Sequence, residues 1–121
     1  MNLQELRWGN YIYFDKKLIT VSANNINDII KFNYQMLIEP IPLTEEWLVK
    51  FEFELEEKRT YHKLINKDTE FCVYIDGEIL ELNSLIIWQS DAVYVRGILK
   101  YVHQLQNLYF ALTGEELTIK N

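Results

Sequence analysis

Two histidines, one cysteine and three serines are the side chains here best suited to proton transfer or nucleophilic attack. Their spacing argues against both. Ser22, Ser84 and Ser90 sit in no Gly-x-Ser-x-Gly elbow. Cys72 lies in the apolar run Phe71-Cys72-Val73-Tyr74, the setting of a buried, inert thiol. A lone cysteine also excludes an intrachain disulfide and a cysteine zinc site. His62 stands among Arg59, Tyr61 and Lys63 and is expected on a solvated strand edge. His103, two positions from Leu105 in a helical pattern, is expected on the surface or boundary of that helix. Neither is assigned a proton-transfer role. Gly9, Gly77, Gly97 and Gly114 are too far apart to write a phosphate loop or dinucleotide fingerprint. Asp76, Glu78 and Glu81 surround one hairpin, where turn chemistry explains Asp76. The offset of Glu78 from Glu81 puts the two on opposite faces of a strand. The chain therefore reads as non-enzymatic, with no catalytic, cofactor or metal residue assigned.

Binding residues are better supported. Phe51-Glu52-Phe53-Glu54-Leu55-Glu56 alternates strictly, so a strand there carries Glu52, Glu54 and Glu56 on one face at roughly 6.6–6.8 Å intervals. Such a row can steer a basic partner. The plainer reading is a solvent-facing strand whose charges block edge pairing. Tyr11 and Tyr13 share a face opposite Ile12 and Phe14. They form either a surface aromatic pair suited to a protein interface or a pair covered by the C-terminal helix.

Twelve basic residues against eighteen acidic ones give a net charge of -6. That balance lacks the footprint of a nucleic-acid groove or of an anionic membrane contact. The hydrophobic share of 49% and charged share of 25% belong to a globular chain rather than a disordered one. A length of 121 residues suits a single domain, 1–121. The opening residues show no signal-peptide pattern, and no apolar run is long enough to span a bilayer, so a cytoplasmic location is expected.

These residues need elements to hold them. Asn10–Phe14 and Leu18–Ser22 around Asp15-Lys16-Lys17 read as a β-hairpin. Asn24–Ile30 reads either as a short helical turn capped by Asn25 or as a loop. Tyr34–Glu39 reads as a strand ended by Pro40 and Pro42. Thr44 as cap, Glu45 and Glu46 in the first turn, and a Leu43–Leu48 staple predict a short helix at about 44–51. Strands follow at Glu70–Ile75 and Glu78–Asn83 around Asp76-Gly77, then at Leu85–Trp88 and Ala92–Ile98. Val102, Leu105, Leu108, Tyr109 and Leu112 make one helical stripe, with Gly114 as the stop, predicting a C-terminal helix at about 101–113. Leu117-Thr118-Ile119 is open to a last strand. The expected fold is α+β: a twisted antiparallel sheet, or a small, partly open, SH3-like β-barrel, with those two helices packed on it.

Three segments carry a resemblance. Leu6-Arg7-Trp8-Gly9-Asn10-Tyr11-Ile12-Tyr13, Ile38-Glu39-Pro40-Ile41-Pro42-Leu43-Thr44-Glu45-Glu46-Trp47-Leu48, and the stretch Lys100 to Leu117 with Tyr-Val-His-Gln-Leu-Gln-Asn-Leu-Tyr at its head resemble small uncharacterised proteins encoded by phages and prophages. The resemblance implies a genetic setting and supplies no catalytic residues. In that setting the expectation is a small acidic, non-enzymatic protein of a phage or mobile element, in the host-cell cytoplasm, that binds a host or viral protein complex. Inhibition of a host defence system is its most concrete form. A small-ligand-binding barrel and an undetected hydrolase are the alternatives. His103, Gln106 and Asn107, polar positions that a core helix does not require, join Glu52, Glu54, Glu56, Tyr11 and Tyr13 as candidate partner-binding residues.

Overall fold

The computed structural model describes the backbone of residues 3–57, 60–66, 69–76, 81–88 and 91–119. Side chains are described for these except 56, 57, 66, 69, 74–76, 81–88 and 91–98. The chain is α+β and divides into two compact units, Met1–Pro42 with Tyr101–Glu116, and Leu43–Lys100 with Leu117–Asn121.

In the first unit, β1 (Tyr11–Phe14) is the middle of a three-stranded antiparallel sheet, between β2 (Lys17–Thr20) and β3 (Ile38–Glu39). The β1–β2 turn has Asp15 at φ 48 and Lys16 at φ 66, the two successive positive values of the turn that matches strand twist. Helix α1 (Ala23–Lys31) follows at once. Its cap is Ser22, not Asn25: Asn25 N–H donates to Ser22 Oγ, and Ser22 N–H donates to Asn25 Oδ1 at 2.8 Å. This reciprocal pair settles the ambiguous segment as helix. At its other end Asn33, at φ 60, reverses the chain, with Tyr34 N–H donating to Ile29 O and Asn33 N–H to Ile30 O. That is a Schellman ending. It also corrects the strand expected at Tyr34–Glu39. The residues after the reversal form a 3-10 turn, Gln35–Leu37, and only Ile38–Glu39 pairs. Ile12, Val21, Ile29 and Ile38 form the unit's core, with Leu3, Leu6, Phe14, Ile19 and Ile26 packed around them. Helix α3 (Val102–Thr113) lies against β1 and stops at Gly114, at φ 74, as its sequence predicts.

In the second unit, α2 (Glu45–Lys50) precedes a five-stranded antiparallel sheet in chain order: β4 (Glu54–Glu57), β5 (Thr60–Asn66), β6 (Thr69–Asp76), β7 (Glu81–Trp88) and β8 (Asp91–Leu99). The sheet is not closed into a barrel: β4 and β8 are its two ends. Thr44 occupies the cap position of α2, but its side chain makes no cap hydrogen bond there. Leu43 and Leu48 are both buried, at the spacing of the expected staple. The stretches expected as separate strands at Glu78–Asn83 and Leu85–Trp88 are one strand, β7, pairing residue by residue with β6. The turn residues Gly77, Gln89 and Ser90 lie outside the described residues. Leu117-Thr118-Ile119 is not a strand. The apolar side chains of Trp47, Leu48, Phe51, Phe53, Tyr61, Phe71 and Val73 are buried, with ring pairs Trp47–Phe51 and Phe53–Phe71 at 5.6 and 6.1 Å. No described helix is long and apolar enough to cross a membrane.

Candidate functional site

The C-terminal helix buries two faces. Val102, Leu105 and Tyr109 form the apolar one. The stripe is rotated from the expected one: Leu108 is half-buried and Leu112 is exposed. The second carries the buried polar His103 and Gln106, the half-buried Asn107 and the exposed Phe110, at the i, i+3, i+4, i+7 spacing of one helix side. This face is occupied by the chain's own N-terminal segment, residues 3–11. Gln106, fully buried, accepts from Tyr11 N–H through Oε1 at 2.8 Å and donates from Nε2 to Gly9 O at 2.9 Å. Asn107 Oδ1 accepts from Asn10 Nδ2 at 2.8 Å, and its Nδ2 donates to Glu5 O at 2.9 Å. Arg7 lies over the Phe110 ring at 4.1 Å. The Arg7 guanidinium donates to both Glu116 oxygens, at 2.5 and 2.9 Å, a bidentate charge-assisted pair. Gly9 permits the close approach: it sits at φ 96, and a Cβ there would stand 3.2 Å from Glu116 Cδ.

Three candidate partner-binding residues, His103, Gln106 and Asn107, are thus engaged within the chain. His103 corrects the sequence expectation most sharply. It is 1% exposed, not on the surface, because residues 3–11 cover that side of α3. Glu5 Oε2 stands 3.5 Å from its Nε2, and the Tyr101 ring stacks on it at 5.9 Å. Burial pushes its pKa below the ordinary 6.5, partly offset by Glu5. Tyr11 is buried and Tyr13 half-buried, so they are not an exposed pair.

In the second unit the acidic row does not form as expected. Glu52 is not in a strand: it sits at φ 68 just past α2, with Phe53 N–H donating to Leu48 O and Glu52 N–H to Val49 O. Helix termination overrides the alternation there. Glu54 is in β4, and the side chain of Glu56 lies outside the described residues. Glu54 is opposite His62 on β5, an inner strand rather than an edge, and the register puts Glu70 of β6 on the same face. His62 Nδ1 contacts Glu70 Oε1, and its Nε2 is 3.9 Å from Glu54 Oε2. Lys63 Nζ donates to Phe51 O at 2.7 Å and is 4.0 Å from Glu52. Glu52, Glu54, His62, Lys63 and Leu64 line a shallow depression of about 220 Å³. An imidazole held by one carboxylate has the form of a general base and its orienting group. Chemically the cluster is equally a cross-strand clamp, with the imidazole between two carboxylates. Among the described residues no group of three His, Cys, Asp or Glu side chains is placed to hold a metal.

One surface was not anticipated. Beside α1 lies an open groove of about 330 Å³ lined by Phe14, Ile19, Ile29, Phe32 and Tyr34, with Asn25 and Asp28 as its polar members. Phe32 and Tyr34 stack at 5.7 Å, and Tyr34 meets Phe14 edge-on at 6.2 Å. Phe32 is 52% exposed, and Ile30 and Met36, nearby in sequence, are 54% and 92% exposed. The available signal was an excess of apolar residues: Ile29-Ile30-Lys31-Phe32-Asn33-Tyr34-Gln35-Met36-Leu37 holds more than one buried stripe can use.

No protein-family model matches the chain, and no curated protein or solved structure does.

Proposed function

We propose that the chain is a non-enzymatic interaction protein that acts by binding a protein complex of the host or of the virus. The observation that carries this reading is the open apolar groove beside α1, whose lining residues Phe32 and Tyr34 are exposed, with Ile30 and Met36 exposed nearby in sequence. Exposed, stacked aromatics lining an open apolar groove suit a protein contact. A folded ligand barrel is disfavoured because the five-stranded sheet stays open. The phage setting, and inhibition of a host defence system within it, rest on the resemblance of the three segments quoted above.

The test compares wild type with a Phe32→Ser, Met36→Ser double variant. Both side chains are largely exposed, so the variant folds. Each protein captures partners from host lysate, and a partner retained by wild type is purified and titrated. The expected loss is at least about 30-fold in Kd, the scale of a truncated aromatic anchor. Equal binding of every captured protein by both chains would overturn the reading.

A further inference from the structure

Residues 3–11 form a strap on the polar face of α3, and every anchor but one is well made. Gln106, Asn107 and the Arg7–Glu116 pair satisfy their groups with short hydrogen bonds. The exception is His103. Its ring is buried, and neither ring nitrogen has a hydrogen-bond partner among the described residues. The charged group that faces it is Glu5, from the strap itself, at 3.5 Å. Its other titratable neighbour is Tyr101, stacked on it from the start of α3. Strand β1, packed on α3, has no acidic or basic side chain in Tyr11–Phe14 beyond its two phenols.

We propose that His103 is a proton-sensitive latch for the strap: neutral, it lets residues 3–11 close over α3, and protonated, it releases them. The physical reason is the missing hydration. A charged imidazolium needs water or well-placed acceptors, and the closed strap offers one carboxylate oxygen beyond good hydrogen-bond distance. Opening the strap supplies water. The sign follows from linkage. With the strap closed, burial holds His103 below its ordinary pKa, whereas the open form titrates near 6.5. The open form therefore binds more protons below about pH 6.5, and acidification favours it. The open fraction rises by up to about tenfold per pH unit until the closed form also protonates. The latch is independent of any partner and of the groove beside α1.

The Tyr11 amide reports on the latch directly, because it is bonded across the strap to Gln106. Its hydrogen exchange, corrected for the intrinsic pH dependence, is measured from pH 7.5 to 5.5 and compared with the amides of residues 12–20 in the β1–β2 hairpin. Protection at Tyr11 should fall about three- to tenfold while the hairpin amides hold. His103→Gln, neutral at every pH, should abolish the difference. Equal pH dependence in His103→Gln, parallel loss in the hairpin, or unchanged protection at Tyr11 would each overturn the proposal. A second measurement needs no variant. The His103 ring, followed by NMR in the wild-type protein, should titrate below 6.5, and a midpoint at or above that value would also sink it.

Discussion

Gln106 and Tyr11 are 95 positions apart and joined by a 2.8 Å hydrogen bond from the Tyr11 amide to the Gln106 side chain. The same side chain donates to the Gly9 carbonyl, so one amide completes two backbone groups of a segment whose other backbone bonds, Gly9 N–H to Val21 O and Val21 N–H to Asn10 O, continue the β1–β2 pairing. A buried glutamine serves as a substitute strand for one residue pair.

Replacing Gln106 with Leu keeps the volume and removes both bonds. It takes one hydrogen bond from the buried Tyr11 N–H, at about 1–3 kcal/mol, and one from the half-buried Gly9 C=O, at less. Chemical denaturation should show a loss of about 2–5 kcal/mol, with exchange at Gly9 and Tyr11 rising more than in the hairpin. A loss within about 0.5 kcal/mol would mean that the bond contributes nothing to the fold.

The rotated stripe of α3 separates two leucines. Leu105 is fully buried and Leu108 half-buried. Leu105→Ala should cost about 2–5 kcal/mol. Leu108→Ala should cost under about 1.5 kcal/mol, since it gives up less buried surface. Thermal unfolding of the two variants checks the order, and equal losses would contradict the observed rotation.

Glu52 holds a positive φ without being glycine. Glu52→Gly relieves that strain and gives up the partly exposed 4.0 Å contact with Lys63, which contributes little. The variant should be more stable by about 0.5–1 kcal/mol, because the left-handed region costs a side chain roughly 1–2 kcal/mol and glycine's extra unfolded-state freedom cancels part of the gain. The midpoint of urea unfolding measures it, and a downward shift would show that the contact outweighs the strain.

Once a partner is in hand, rate constants distinguish the two candidate surfaces. Glu54 is exposed, so Glu54→Gln should slow association at low salt and leave dissociation unchanged. Phe32→Ser should chiefly speed dissociation. Stopped-flow measurements at two salt concentrations read both. If Glu54→Gln alone changes dissociation, the contact lies in the second unit instead.

The elements with local signals were legible in the sequence. The Asp15-Lys16 hairpin, the Glu45–Lys50 helix and the Gly114 stop depend on residues within a few positions of one another, and turn, cap and left-handed preferences act at that range. Periodicity also marked His103, Gln106 and Asn107 as polar positions that an apolar core helix does not need. What fills that face was not legible. Gln106 binds the backbone of Gly9 and Tyr11, and a backbone group carries no side-chain signature. The acidic row failed for a related reason. Strict alternation describes a strand, but Glu52 is claimed by the hydrogen bonds that end α2, and the end of a helix takes precedence over the pattern that follows it. Burial of His103, exposure of Phe32 and Met36, and the meeting of Glu54, His62 and Glu70 were decided by tertiary structure alone. Each depends on which distant segment covers a face or joins a register. A single sequence records the faces, while the pairing follows from the packing of the whole chain.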